Sequence, residues 1–302
     1  MSLLISVVIP TLNRRCTLEK VLPLLAKQTL PQEKYELLLC DSGSTDGTQE
    51  LVDALGIGNL RLVDTNGDRG RGGARNAGIQ AAKGDIILFT DADILADKCL
   101  LEEHVRIHHL KSNIAVIGLE IQVDSLDEYE NVRHDPTKGR HMHGEKERSL
   151  AWLFFLTGNA SVPRETLLKV GMFDENFTGY GHEDIELGYR LQKAGLKILF
   201  YPPAINFHWH PVPFAERCFK MSQSGAATHR FYSKYRDLSI LTKLGVNPIT
   251  LGLHALVQRA PLVQSILHAK TDASRLAREL LLQFSYLSGY KEARAKRAAQ
   301  SL

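Results

Sequence analysis

The chain has 302 residues, enough for one large α/β domain with a substantial core. Its 44% hydrophobic and 24% charged residues exclude disordered, collagen-like and disulfide-scaffold designs. A formal charge of +3 is too small to predict a nucleic-acid partner, and none is expected.

Cys16, Cys40, Cys99 and Cys218 lie far apart with no CxxC pair, which argues against a zinc ribbon or redox motif and suits a reducing compartment. Residues 3–9 form an apolar run closed by Pro10, with its charges behind it, and read as a first buried strand rather than a signal peptide. Residues 17–28 have helical spacing with Thr17 as the predicted N-cap. A second strand is predicted at 35–40, a helix at 45–55, a strand at 60–64 and a helix at 75–83. A fourth buried strand at 85–90 ends at Asp91-Ala92-Asp93. This alternation predicts a parallel sheet with crossover helices, whose ligands sit at the carboxyl ends of the strands. Pro10-Thr11-Leu12-Asn13, Asp41-Ser42-Gly43-Ser44-Thr45-Asp46 and Asp91-Ala92-Asp93 all fall at such ends and should meet at one crevice.

Residues 125–149 are polar and His-rich, as in a long loop that closes over a site. His134, His141 and His143 lie in it without ligand spacing and read as solvated. Strands are predicted at 152–156 and 198–201, with a helix at 184–193 ended by Gly195. Beyond Pro213 the pattern is helical, so the expected domains are a catalytic α/β domain over 1–213 and a helical extension over 214–302. Gln258, Arg259, Gln264 and His268 interrupt the longest apolar stretch, which falls short of the roughly 18 residues of a membrane span. The tail carries Lys291, Arg294, Lys296 and Arg297 against Glu292, and an anionic lipid surface, a solvated face and a homodimer contact stand as alternatives for it. The expected location is the cytoplasm, peripherally at the inner membrane face if the tail meets lipid.

Three clusters carry chemistry. Asp91 and Asp93 follow a buried strand, where unpaired charge is costly, so they require a cation or a cationic partner. Their oxygen donors suit Mn2+ or Mg2+, and capping of a loop is the alternative. Glu183 and Asp184 follow the Gly-rich approach through Gly179 and Gly181, at a helix start whose dipole favours ionised carboxylates. An ionised carboxylate there is a competent general base, and plain helix stabilisation is the alternative. His208 and His210 share one face of an extended segment, with Trp209 on the other, and imidazoles complement carboxylates around manganese. Trp152 and Trp209 either stack on sugar faces or pack in the core.

Taken in order, Val7-Val8-Ile9-Pro10-Thr11-Leu12-Asn13, Asp41 to Thr48, Gly73-Ala74-Arg75-Asn76-Ala77-Gly78, Asp91-Ala92-Asp93 and Gly181-His182-Glu183-Asp184 resemble the family 2 glycosyltransferases, over roughly residues 4–210. The resemblance implies a GT-A fold: a Rossmann-like, mixed and mainly parallel sheet. It implies that Pro10, Thr11 and Asn13 line a nucleotide pocket, that Asp41 accepts a hydrogen bond from the base, and that Arg75 pairs with donor phosphate. Asp91 would lie near the ribose and metal, Asp93 would ligate the metal, and a histidine, His208 before His210, would complete its site. Ser42 departs from the pattern, since many relatives carry a second acid there.

The segment around Gly181 is similar to the carboxy-terminal motif of galactosyltransferases and chondroitin-polymerase-type enzymes. That similarity implies Asp184 as base and Glu183 as acceptor contact beside the Gly-rich turn at Gly181, and Trp152, if it stacks on a sugar, would join the acceptor side. The implied activity is inverting, metal-dependent transfer from a nucleotide-diphosphate sugar, UDP-linked by preference, to a saccharide or glycolipid hydroxyl. A sugar nucleotidyltransferase and a non-catalytic nucleotide-sugar-binding protein are the alternatives.

Overall fold

The computed structural model describes residues 4–141, 144, 146–261, 265, 267 and 274–300. Leu3, His143, Gln264 and His268, named above, lie outside the described residues. The chain divides into two compact units, residues 1–175 with 183–211, and residues 176–182 with 212–302.

In the first unit β1 (Ile5–Thr11), α1 (Arg15–Ala26), β2 (Tyr35–Asp41), α2 (Thr48–Leu55), β3 (Leu60–Asp64), α3 (Gly70–Ala81) and β4 (Ile86–Phe89) alternate as expected. β1 runs parallel to both β2 and β4, and β2 runs parallel to β3. Ile5, Val7, Val8 and Ile9 are fully buried on both faces of β1, so the strand reads as a continuous apolar run instead of an alternating one. Next come β5 (Ile94–Ala96), α4 (Leu100–Leu110), β6 (Ile114–Val123), α5 (Leu126–Val132), β7 (Arg140–His141), β8 (Arg148–Leu150), β9 (Ala160–Pro163), α6 (Arg164–Val170), α7 (Glu183–Lys193) and β10 (Lys197–Trp209). The order across the sheet is β3-β2-β1-β4-β9-β6-β10-β5, with β7 on β6 and β8 on β10. The long β6 and β10 are parallel, whereas the short β9 and β5 are antiparallel to their neighbours. The sheet is therefore mixed and mainly parallel.

Several boundaries differ from the sequence reading, each for a local reason. α1 begins at Arg15, and Thr17 is not its cap: the Arg15 N–H donates to Asp46 Oδ2 at 2.8 Å, so a distant carboxylate satisfies the helix end. α2 begins at Thr48 because the residues before it form a turn, and α3 begins at Gly70, ahead of Arg75. Residues 152–156 are no strand; Trp152–Phe154 form a single 3₁₀ turn. Trp152 meets Tyr189 of α7 edge-on at 5.6 Å and Phe155 is fully buried, so this apolar run docks on a helix, a distinction that periodicity in a short run does not carry. The expected long loop contains α5, whose cap Ser125 accepts from the Glu128 N–H. β10 continues through Pro202 and Pro203 because its register shifts between Tyr201 and Ile205, where prolines are tolerated.

The second unit holds α8 (Phe214–Tyr235), α9 (Leu238–Lys243), α10 (Pro248–Gln258) and α11 (Arg275–Gln300). α8 and α11 cross closely at two glycines, where a Cβ on Gly225 would run into the Tyr286 carbonyl and one on Gly289 into that of Ser222. Val246, Tyr286, Leu287 and Tyr290 form a buried cluster within this unit. Among the described residues no helix is long and apolar enough to cross a membrane.

Candidate active site

The carboxyl ends of β1 and β2 are tied into one rigid rim. Asn13, at φ +52°, donates its N–H to Ser44 Oγ at 2.8 Å and accepts from the Thr45 N–H at 2.8 Å. Ser44 donates its hydroxyl to Asp41 Oδ1 at 2.6 Å, and its N–H also reaches both oxygens of that carboxylate. Asp46 is held by Thr48 and by the Arg15 N–H. Thus Pro10, Thr11, Asn13 and Asp41 are brought together, and the acids of the 41–48 segment are satisfied by their own turns. The exception is Thr11, 4% exposed, whose Oγ1 has no hydrogen-bond partner.

The Asp91-Ala92-Asp93 turn leaves β4 and enters β5, and there the antiparallel pairing with β10 fixes its neighbours. Ile94 lies opposite His208, and the Trp209 N–H donates to the Asp93 carbonyl at 2.9 Å. Alternation along β10 then sets His208 and His210 on one face, their rings stacked at 5.6 Å. His210 Nδ1 is 3.2 Å from Asp93 Oδ2, while His208 Nε2 stands 3.6 Å from Oδ1, too far for a hydrogen bond. Oδ1 is buried without a hydrogen-bond partner.

Burial alone would raise the Asp93 carboxyl, but the hydrogen bond with His210 and the charges of His208, His210 and Arg14 prevail and lower it. Burial would likewise lower His208, but its hydrogen bond with Glu120 at 3.3 Å and the Glu120, Asp93 and Asp91 charges push it up to about 9. Glu120 and Gln122 on β6 are residues that sequence reading missed; Gln122 donates to Glu120 at 2.8 Å and lies 3.2 Å from His208 Nδ1. Their signal was two alternate polar residues on one face of an apolar run. With Asn159 and Leu156 they help line a cavity of about 100 Å³.

The third group is an internal charge cluster. Arg75 on α3 is 1% exposed, donates to Asp91 Oδ1 at 2.8 Å and to Glu183 Oε1 at 3.2 Å, and lies over the Phe173 ring. The guanidinium expected to meet a donor phosphate is held by two carboxylates of its own chain. Glu183, 4% exposed, retains Oε2 without a hydrogen-bond partner. Asp184, at the start of α7, accepts from the Ile185 N–H at 2.7 Å. The helix dipole was expected to keep Asp184 readily ionised; instead burial, followed by the Glu183 charge, lifts its carboxyl to about 7 against the opposing pull of Arg75. Arg75 is in turn held firmly charged: burial opposes ionisation, but Asp91, Glu183 and Asp184 prevail.

Two residues expected on the acceptor side are placed otherwise. Trp152 is 4% exposed and sits in the core, so it offers no open face to a sugar. Gly181 belongs to the second unit, with φ +95° and a would-be Cβ 2.6 Å from Ser224 Oγ, so both backbone and packing require glycine. Its neighbour His182 is buried against Thr228 at 2.6 Å, and burial lowers its pKa to about 3.

Among the described residues no three His, Cys, Asp or Glu side chains form a closed cation cage. The donor set around Asp93 nonetheless fits a hard divalent ion: the partnerless Asp93 Oδ1, a second carboxylate at Asp91 and two imidazoles on one face.

Residues 6–171 match the family model described as glycosyl transferase family 2, and residues 141–211 match that described as the N-terminal domain of galactosyltransferase. The glycosyltransferase YfnE of Bacillus subtilis is 28% identical, over 68% of this chain and 65% of its own length. Validoxylamine A glucosyltransferase of Streptomyces hygroscopicus subsp. jinggangensis is 33% identical, over 64% of this chain and 52% of its own. Chondroitin synthase of Escherichia coli is 27% identical, over 68% of this chain and 35% of its own. The chain thus spans between a third and two thirds of these relatives. A mannosyltransferase from Pyrobaculum calidifontis, solved in complex with GDP-Man and Mn2+, superposes with TM-score 0.59 at 24% identity, over 98% of this chain and 84% of its own. S. aureus TarS in complex with UDP superposes with TM-score 0.57 at 16% identity, over 97% of this chain and 92% of that one. These likenesses establish the GT-A fold.

Proposed function

The chain belongs to glycosyl transferase family 2, and on that premise we propose that it transfers a hexosyl group from a UDP-linked donor to a hydroxyl of a saccharide or glycolipid, inverting the anomeric carbon. The observation that carries this reading is the pinning of Asp93, through the Trp209 N–H, between two histidines while one of its buried oxygens stays partnerless. A buried carboxylate oxygen without a partner is costly, and a cation on the donor diphosphate would remove that cost.

On the donor side Pro10, Thr11 and Asn13 shape the nucleoside pocket, with the partnerless Thr11 Oγ1 offered to the ligand. Asp41, aimed by Ser44, accepts the N3–H of uracil. Asp91, held by Arg75, faces the ribose. Mn2+ or Mg2+ would be held by Asp93 and Asp91 with His208, His210 or both, and when bound it supplies positive charge for the diphosphate. Arg75 acts here by orienting Asp91 and Glu183, in place of a direct phosphate contact.

On the acceptor side Asp184 takes the proton of the attacking hydroxyl, as its near-neutral pKa permits. That oxygen bonds to the anomeric carbon as the bond from carbon to diphosphate oxygen breaks, and the nucleoside diphosphate leaves. Glu183, with Oε1 fixed by Arg75 and Oε2 buried without a partner, is the acceptor contact only if acceptor binding uncovers Oε2. Single displacement inverts the centre and requires no covalent sugar on the protein. The test is a nucleotide-release screen with UDP-, GDP- and dTDP-sugars, with and without manganese. Manganese-dependent release from the UDP-sugars supports the reading, whereas the absence of both binding and release with every donor overturns it.

A further inference from the structure

In the second unit α10 presents its apolar side outward. Its start is fixed by a capping box of Asn247 and Thr250. Its inward side is marked by His254, which is 4% exposed, stacks on Phe284 of α11 at 4.5 Å and lies 2.9 Å from Ser288 Oγ. On the other side Ile249, Leu253 and Leu256 are 74%, 58% and 66% exposed. They are spaced four and three residues apart, so they stand in one row on the helix. Pro248 and Gly252 are exposed beside them, and α10 carries no Asp, Glu, Lys or Arg to break the row. Exposed leucines found singly need no explanation, whereas a continuous row marks a surface that something covers.

The charge of the unit indicates what the cover is. Residues 176–182 and 212–302 hold fourteen Lys and Arg against five Asp and Glu, so this unit is strongly basic in a chain whose net charge is only +3. From Leu238 to Thr271, the stretch that contains α9 and α10, the sequence has no acidic residue, while Lys243 ends α9 and Arg259 caps α10. Leu276 and Leu280, in the first turns of α11, are exposed too, and they alternate with Arg275 and Arg278, with Glu279 beside them.

A second copy of the chain would cover the leucines but bring two basic units together, and like charge opposes that contact. A nucleic acid would answer the basic charge but leave the leucines in water. The surface of an anionic bilayer answers both, because its acyl boundary takes up leucines while its headgroups attract cations and repel acids. We propose that the exposed face of α10, formed by Ile249, Leu253 and Leu256, docks on the surface of a membrane that contains anionic lipid. The helix lies along the interface and does not cross it, since its apolar row covers only one side. This inference does not depend on the transfer reading.

The test sediments the whole chain with phosphatidylcholine vesicles, with and without phosphatidylglycerol. The wild type is compared with the double substitution Leu253→Ser and Leu256→Ser, and with Leu168→Ser, which alters an exposed leucine of the first unit. Because all three leucines are exposed, thermal unfolding of the variants should match the wild type, which shows that each is folded. The wild type should sediment with the phosphatidylglycerol vesicles more strongly than with phosphatidylcholine alone, and added salt should weaken it by screening. The double substitution should weaken binding about a hundredfold, roughly tenfold for each leucine no longer buried in lipid, whereas Leu168→Ser should bind as the wild type does. No sedimentation with the anionic vesicles, equal sedimentation with neutral ones, or wild-type binding by the folded double variant overturns the proposal. A dimer in sedimentation equilibrium that the double substitution dissolves assigns the face to a second copy and overturns it as well.

Discussion

The two walls of the candidate crevice handle their carboxylates in opposite ways. In the 41–48 segment Asp41 and Asp46 are satisfied by hydroxyls and N–H groups of adjoining turns, at distances from 2.6 to 3.2 Å. Around Asp93 and Glu183 the carboxylates are largely buried, contacted by a histidine and an arginine respectively, and each retains an oxygen without a hydrogen-bond partner. The first wall is preorganised by its own turns, whereas the second keeps uncompensated polar atoms where the proposed transfer would change charge. The polar atoms a site leaves unsatisfied therefore locate its chemistry more sharply than those it satisfies.

Substitutions sharpen this contrast in order of expected size. Asp184→Asn should lower kcat by about 10²- to 10⁴-fold, the usual contribution of a positioned base, while UDP binding measured by calorimetry stays intact. Because the Asp184 carboxyl lies near pH 7 and only its ionised form accepts a proton, wild-type activity should fall as pH drops below about 7. Arg75→Met should cost about 3–5 kcal/mol in urea unfolding, since it leaves Glu183 buried and the half-buried Asp91 without their cation. A loss under about 1 kcal/mol would mean that water or another cation already serves those acids. Glu183→Gln removes a like charge beside Asp184, so the acidic limb of its pH profile should move to lower pH; an unmoved limb would place the titration elsewhere. On the satisfied wall, Ser44→Ala removes hydrogen bonds to Asp41 and from Asn13 and should cost only about 1 kcal/mol in thermal unfolding.

Much of this was legible in the sequence, because apolar runs ending in polar blocks mark strand ends, and three such ends lie side by side once the sheet forms. What stayed hidden was long-range. The phosphate role of Arg75 rests on the family resemblance, and nothing in its own segment signals that α3 buries it between two acids from elsewhere. Glu120 escaped because, although its alternation with Gln122 in an apolar run was visible, only the pairing of β6 with β10 brings it beside His208. The burial of Asp184 depends on the packing of α7, so helix position alone suggested an easily ionised acid. Trp152 is a core residue because Tyr189 packs on it, a contact that spacing does not reveal.

In the proposed transfer Asp93 serves the donor and Asp184 the acceptor. Calorimetric titration of UDP, with and without manganese, into the wild type, Asp93→Ala and Asp184→Asn separates the two roles. Manganese-dependent binding that is lost in Asp93→Ala and kept in Asp184→Asn is the predicted result. Equal UDP affinity in all three proteins, or its loss in Asp184→Asn alone, would contradict it.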